Sequence, residues 1–135
     1  MTFYAQHFAD TMAKKDVKYT EVDDHTLKIS FNGDNIKTVT IYAVFEEDGE
    51  NLVQLRSWEI ESFASNEAAG LAVCNEMNCH YRWVKFFLDK DKDIVATIDA
   101  TLDDDSCGEE CLELLFRFVD IVDSAYPQIE KARWA

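Results

Sequence analysis

Apolar and polar positions along this 135-residue chain switch between two periods, and the switches lay out its elements. Phe3, Tyr4, His7, Phe8, Thr11 and Met12 recur at intervals of three and four, which places them on one side of a helix. Lys14 and Lys15 follow, cations suited to the negative end of a helix dipole, and together these signals predict a helix over about residues 2–15. From Val17 the period falls to two. Leu27, Ile29 and Phe31 alternate with Lys28 and Ser30; Val39, Ile41, Ala43 and Phe45 alternate with Thr38, Thr40, Tyr42 and Val44. Within the run 52–60, Val53 and Leu55 oppose Gln54, Arg56 and Trp58, as strands require. The breaks fall at Asp23-Asp24, at Asn32-Gly33-Asp34-Asn35 and between Glu46 and Asn51. All are short and rich in residues that tolerate turn geometry, so neighbouring strands are antiparallel.

Ser65 and Asn66 can cap a helix that begins at Glu67 and runs through Leu71, Ala72 and Met77 to about His80. Two more alternating segments follow, Arg82–Leu88 and Ile94–Leu102, joined by an Asp89-Lys90-Asp91-Lys92-Asp93 turn. Ser106 with Glu109 three residues later has the spacing of a reciprocal helix cap, and Asp103 to Asp105 put negative charge at the helix's positive end. The long helix that starts there buries Cys111, Leu114, Leu115, Phe118, Ile121, Val122 and Ala125. Pro127 is expected to break or kink it near Tyr126, with Ile129 and Trp134 covering the core edge in a last turn. The order is α-β-β-β(-β)-α-β-β-α. The fold class is α+β: an antiparallel sheet of about five to six strands with helices packed on one face.

Charge narrows the role. Thirteen Lys and Arg face 27 Asp and Glu, a net −14, with 47% apolar residues, four Gly and one Pro. A chain of this size buries roughly two thirds of its unfolded surface, enough for a single core. Nucleic acid and anionic membrane surfaces are poor partners for such a charge, because both are held through Lys and Arg. No run approaches the ~18 uninterrupted apolar residues of a membrane span, and MTFYAQHFADTMAKK lacks the features of a secretory signal, so a cytoplasmic protein is expected. Cys74, Cys79, Cys107 and Cys111 then read as reduced, small hydrophobes. Residues 1–45 hold five basic and six acidic groups, residues 46–135 eight and 21. Solubility is the ordinary account of that asymmetry; the sharper one is an acidic face selecting a basic or amphipathic protein segment.

Few residues announce chemistry. Asp89, Asp91 and Asp93 begin like a calcium loop, but the sixth position is Ile94 rather than Gly and the twelfth is Ala100 rather than Glu. Cys74, Cys79, His80, Cys107 and Cys111 are the one group rich enough for zinc, at spacings that do not suit a knuckle. Cys79 and His80 diverge by about 100° around a helix, which rules out a thiol–imidazole dyad. His7 reads as packed on the apolar side of the first helix and His25 as a turn residue. No phosphate-cradling glycine loop and no GxSxG occur. No catalytic residue, cofactor or metal site is therefore expected. Trp58, Trp83 and Trp134 are the interaction candidates, since large rings dominate interfaces, although a core position is the ordinary expectation for each.

The stretch GLAVCNEMNCHYRWVKFFLDKDKDIVATIDATLD, followed by a long apolar helix closing at SAYPQIEKA, resembles the YbjN-like domain family. The pattern consists of a helix ending in an N-x-x-N step (Asn75 to Asn78), an aromatic-rich strand turning back at acidic residues, and a last helix ending in aromatic-Pro (Tyr126-Pro127). The resemblance spans about the whole chain and implies one domain over residues 1–135. It also implies a fold similar to the small acidic chaperones of type III secretion, often dimeric and holding partner polypeptide. Its members are described as sensory-transduction regulators, and no catalytic residues belong to the pattern. The expected function is a non-enzymatic regulatory or chaperone-like module, a homodimer that engages an unknown protein segment. The alternatives are a small-ligand-binding protein or enzyme with a pocket between sheet and helices, and a cysteine-based metal sensor. Asn75 and Asn78, one turn apart, are read as bonding strand-end backbone.

Overall fold

The computed structural model describes all residues 1–135. In chain order the elements are α1 (Phe3–Lys14), β1 (Thr20–Asp23), β2 (Thr26–Phe31), β3 (Val39–Phe45), β4 (Leu52–Ser57), α2 (Glu67–His80), β5 (Lys85–Leu88), β6 (Ile94–Thr101) and α3 (Cys107–Arg133). The six strands make one antiparallel sheet in the order β1-β2-β3-β4-β6-β5. Strand alternation decides its two faces. Val39, Ile41, Ala43 and Phe45 of β3, Val53 and Leu55 of β4, and Ile94, Ala96 and Ile98 of β6 point into one core with the buried sides of the three helices. The residues between them form the other face, which no element covers.

The helices follow their apolar stripes. α1 buries Tyr4, Ala5, Phe8, Ala9 and Met12. His7 is exposed and packs on Phe3, with ring centroids 4.3 Å apart, because position 7 lies at the margin of that stripe. α3 buries Cys107, Gly108, Cys111, Leu112, Leu115, Phe118, Val122, Ala125 and Ile129, while Leu114 and Ile121 are only half-buried. α1 and α3 cross closely at Gly108, where a Cβ would stand 2.2 Å from Thr11 Oγ1. Asn66 caps α2 by accepting a hydrogen bond from the Ala69 amide at 3.1 Å. Ahead of α3 the reciprocal partner is Glu110 rather than Glu109. Its carboxylate accepts from the Asp103 amide (3.0 Å) and the Ser106 hydroxyl (3.2 Å), so it folds back across the whole acidic turn.

Pro127 does not end α3, which continues to Arg133. A proline cannot donate to the carbonyl four residues back, and that carbonyl, on Asp123, instead accepts from Asn35 Nδ2 at 3.1 Å. The Asp123 carboxylate meanwhile accepts from the backbone amides of Asp34, Asn35 and Ile36 at 3.2, 2.9 and 2.9 Å. The β2–β3 loop is thus strapped to α3. Gly33 makes the approach possible: a Cβ there would lie 2.2 Å from Asp123 Oδ1.

β5 starts three residues later than its pattern suggested. The Val84 amide bonds the Arg82 carbonyl at 2.9 Å and Trp83 takes a φ of 77°, a three-residue turn that ends the extended backbone before Lys85. β4 likewise stops at Ser57, and Glu59 adopts a φ of 54°. The chain then runs beside the start of β6, with Ile60 bonded to the Ile94 carbonyl and Phe63 to that of Lys92.

Candidate functional site

Outward positions of β2 to β6 line up across the sheet. Strand register sets Lys28 beside Tyr42, Tyr42 beside Arg56, Arg56 beside Thr97, and Thr97 beside Lys85. Just past β4, Trp58 leans on this row with its ring centroid 4.6 Å from that of Tyr42, and the Arg56 guanidinium lies 5.5 Å from the same indole. On the edge strand, the Lys85 ammonium sits 5.5 Å from the Phe87 ring. Gln54 fixes Arg56: its amide donates to Asp99 Oδ1 at 2.8 Å, and its oxygen accepts from Arg56 Nη2. These long side chains cover the two outward residues between them, so Val95 and Thr97 are buried although they face away from the core.

Three furrows open on this face, one of them about 400 Å³ and lined by Val44, Leu52, Gln54, Asp99 and Thr101 among others. Another, of about 220 Å³, is lined by Gln54, Arg56, Trp58, Lys85, Phe87, Asp89, Val95 and Thr97. A larger one, of about 930 Å³, runs from Lys28, Thr40 and Tyr42 past Trp58 to Tyr126 and the β5–β6 turn. The smallest is walled by the sheet and the β5–β6 turn alone, whereas the largest of the three reaches from the sheet to Tyr126 of α3.

The three tryptophans are all outside the core, against the ordinary expectation for each. Trp58 is 43% exposed, Trp83 58% and Trp134 70%. None stacks on another. Each instead pairs with its own arginine: Arg56 for Trp58, Arg117 (4.9 Å) for Trp83 and Arg133 (4.3 Å) for Trp134. Trp134 also donates to Glu130 at 2.9 Å and so does not roof the core edge, a task left to Ile129. Only Trp58 belongs to the sheet face. Its partners Tyr42, Arg56, Lys85, Phe87 and Thr97 were visible as outward positions, but nothing in their spacing showed that β4 would pair with β6.

Other chemical candidates have structural duties. Asp89 Oδ1 accepts from the amides of Asp91 (2.9 Å) and Asp93 (3.0 Å), which shapes the hairpin. Cys74, Cys107 and Cys111 are buried and Cys79 is exposed, all four as free thiols. Burial pushes the Cys74 thiol up to about 11 and also raises Cys107 and Cys111, which makes them poor nucleophiles. His25 gains partners that sequence did not reveal, Asp24 at 2.9 Å and Glu47 at 3.3 Å. The hydrogen bond to Asp24 outweighs partial desolvation and raises its pKa. Glu61 and Glu130 form the closest approach to an acid–base pair. Burial foremost, and then Glu130, hold Glu61 above the usual carboxylate value. Burial pushes Glu130 up, but hydrogen bonds from Glu61, Trp134 and Tyr126 draw it down further. With Arg133 Nε 3.8 Å from Glu61, the pair pins the segment after β4 to the end of α3.

Asn78 performs the role read for it. Its side chain donates to the Phe86 carbonyl at 2.9 Å and accepts from the Phe86 amide at 2.8 Å, closing the outer edge of β5. Asn75 is exposed and makes no such bond.

Comparison with known proteins agrees with this architecture. The family model YbjN, described as "Putative bacterial sensory transduction regulator", matches residues 5–131. No curated protein sequence matches the chain. Among solved structures, YbjN from E. coli superposes with a TM-score of 0.69 at 11% identity, covering 91% of this chain and 88% of that one. The Yersinia pestis type III secretion chaperone SycH, solved in complex with a stable fragment of YscM2, gives 0.57 at 11% identity, covering 90% and 98%. The heterodimeric ExoU–SpcU complex of the Pseudomonas aeruginosa type III secretion system gives 0.58 at 14%, covering 87% and 93%. At these identities the likeness is one of fold. No helix of the chain is long and apolar enough to cross a membrane.

Proposed function

The chain belongs to the YbjN family, and from that premise and the outward sheet face we propose that it is a non-enzymatic regulatory or chaperone-like module that holds a segment of another protein. The observation that carries this reading is the outward ring group of exposed Trp58 and Phe87 with half-buried Tyr42, held on and beside the strands next to open furrows. Rings of that kind supply large contact area at low entropic cost, and interfaces concentrate their energy in them. Two of the structural neighbours were solved in complexes with protein partners, which supports the same use of this fold. A cytoplasmic setting suits four free thiols, and a net charge of −14 opposes nucleic acid as the partner.

Photo-crosslinking tests this directly. A benzophenone amino acid placed at Trp58 or Phe87 in the intact chain should yield protein adducts in the source cell, and the same probe at the exposed helix position Glu113 should not. Adducts formed only from the helical side would refute a sheet-face partner.

Self-association is a second part of the proposal. On the helical side Phe116 stands exposed with its ring centroid 6.1 Å from that of Phe31, Trp83 stands exposed against Arg117, and we assign this outer surface of α3 to a second copy. Light scattering should give twice the 15.6 kDa of one chain. A mass of one chain at every concentration removes the homodimer.

A further inference from the structure

Outward positions of β2 to β6 carry three cations, Lys28, Arg56 and Lys85, against one carboxylate, Asp99. This is a basic row on a chain of net charge −14, bordered at its furrows by Glu59 and the hairpin acids Asp89, Asp91 and Asp93. Acids crowd the turns and the helices instead. None of the three cations is paired, since the Lys and Arg ion pairs lie elsewhere, at Lys92–Glu67, Arg117–Glu113 and Arg133–Glu61. Asp99 holds the network through Gln54 and touches Arg56 only at second hand.

Two polar atoms on this face are buried without a partner: Arg56 Nε and the hydroxyl of Thr97, a residue only 4% exposed. They are cross-strand neighbours in register, and both line the 220 Å³ furrow together with Lys85. Leaving a buried polar group without a partner is costly, so a ligand that satisfies both gains from the start. Guanidinium and ammonium groups only donate, and a hydroxyl can donate as well. The group that answers all three must accept, and beside two fixed cations it should carry negative charge.

Spacing decides between a small ion and a chain. Lys28, Arg56 and Lys85 stand on every second strand of one row, and with strands ~4.8 Å apart they recur about every 10 Å. A small ion in the 220 Å³ furrow could meet Arg56, Thr97 and Lys85 but leaves Lys28 and the rings of the row unused. Tyr42 stands between Lys28 and Arg56 on the row, Trp58 and Phe87 flank it, and these rings want apolar neighbours. We propose that this face is a docking site for an acidic, apolar-interleaved segment of a partner protein, its carboxylates meeting Arg56, Thr97 and Lys85 and its apolar side chains meeting Tyr42, Trp58 and Phe87. The proposal rests on the sheet-face reading above and adds the chemistry of the partner. Asp89, which borders the small furrow, is engaged by the Asp91 and Asp93 amides, and acids more than ~8 Å away are largely screened at physiological salt. The sharper expectation from charge was an acidic face selecting a basic segment; the strand row carries the opposite sign, and the acids stand on the turns and helices around it.

The test uses fluorescein-labelled sixteen-residue peptides in which Glu alternates with Leu and Phe, beside matched peptides carrying Gln or Lys in place of Glu. Anisotropy titration of the intact chain should show the Glu peptide binding at least tenfold tighter than the Gln peptide and the Lys peptide weakest. Lys85→Glu, at an exposed position, should weaken the Glu peptide tenfold or more and favour the Lys peptide. Thr97→Val, checked for an unchanged melting curve, should weaken it several-fold. Equal binding of the Gln peptide, insensitive to Lys85→Glu but lost in Trp58→Ala, keeps the docking face and overturns the charge selection. No binding by any peptide overturns both. A single-stranded oligonucleotide binding as tightly as the Glu peptide would show a general polyanion surface and overturn the protein-segment assignment.

Discussion

Replacing Asp123 with Ala removes the acceptor of three backbone amides, those of Asp34, Asn35 and Ile36. Hydrogen bonds to a charged group contribute about 1.5–3 kcal/mol each when sheltered. Here water can replace the first two, since Asp34 and Asn35 are exposed and only Ile36 is half-buried. The expected loss is therefore ~2–3 kcal/mol, nearer one sheltered bond than three, or about 10 °C in Tm for a chain of this size. Urea unfolding followed by circular dichroism measures the first figure, and hydrogen exchange at residues 34–36 should quicken without change in β3. Two further signatures separate this account from general damage. Gly33→Ala puts a Cβ 2.2 Å from Asp123 Oδ1 and 2.6 Å from the Ile36 carbonyl, so its cost should fall by at least ~0.5 kcal/mol when Asp123 is already Ala. Acid should also act on it. Burial pushes the Asp123 carboxyl up, but the three amides more than reverse that, and its pKa in the folded chain lies below the ordinary 3.8. A group depressed on folding contributes stability above its unfolded pKa and loses it as pH falls through the folded one. The difference between wild type and Asp123→Ala should hold steady from pH 7 to about 4 and shrink below that. A difference under ~0.5 kcal/mol at pH 7, or one unchanged down to pH 2, would refute the strap.

Asn78→Leu should cost ~1–3 kcal/mol in urea unfolding, because both backbone groups of Phe86 lose their partner, whereas Asn75→Leu should stay within ~0.5 kcal/mol; equal costs would show that the pair works as a unit and not through the β5 edge. Trp83 holds a φ of 77°, so Trp83→Gly should be about 1 kcal/mol more stable than Trp83→Ala, the reverse of the usual order, and an Ala variant as stable as the Gly one would rule out strain there. With Cys74, Cys107 and Cys111 buried and their thiols raised by burial, Ellman's reagent at pH 8 should react quickly with one thiol in the folded chain and with four in denaturant. Cys79→Ser should abolish the fast reaction; a second fast thiol would contradict the burial.

Periodicity was enough for the element order, the two faces of each strand and the helical stripes, because each is set by residues a few positions apart. Asn78 could be read from sequence because a helix end places it against the strand that follows within a few residues. Several features were not legible for one shared reason. The Pro127 break failed because the orphaned Asp123 carbonyl found Asn35, 88 residues away in sequence. The tryptophans stand outside the core, each against an arginine that no local spacing pairs with a buried position. The basic row exists only because β4 pairs with β6 across the intervening α2, which sets Arg56 beside Thr97 and Lys85. Local pattern determined what each segment is and which way its side chains face. Which outward side chains become neighbours is a property of strand pairing, whose energy comes from contacts distant in the chain, so only the tertiary structure decided where the candidate site would be.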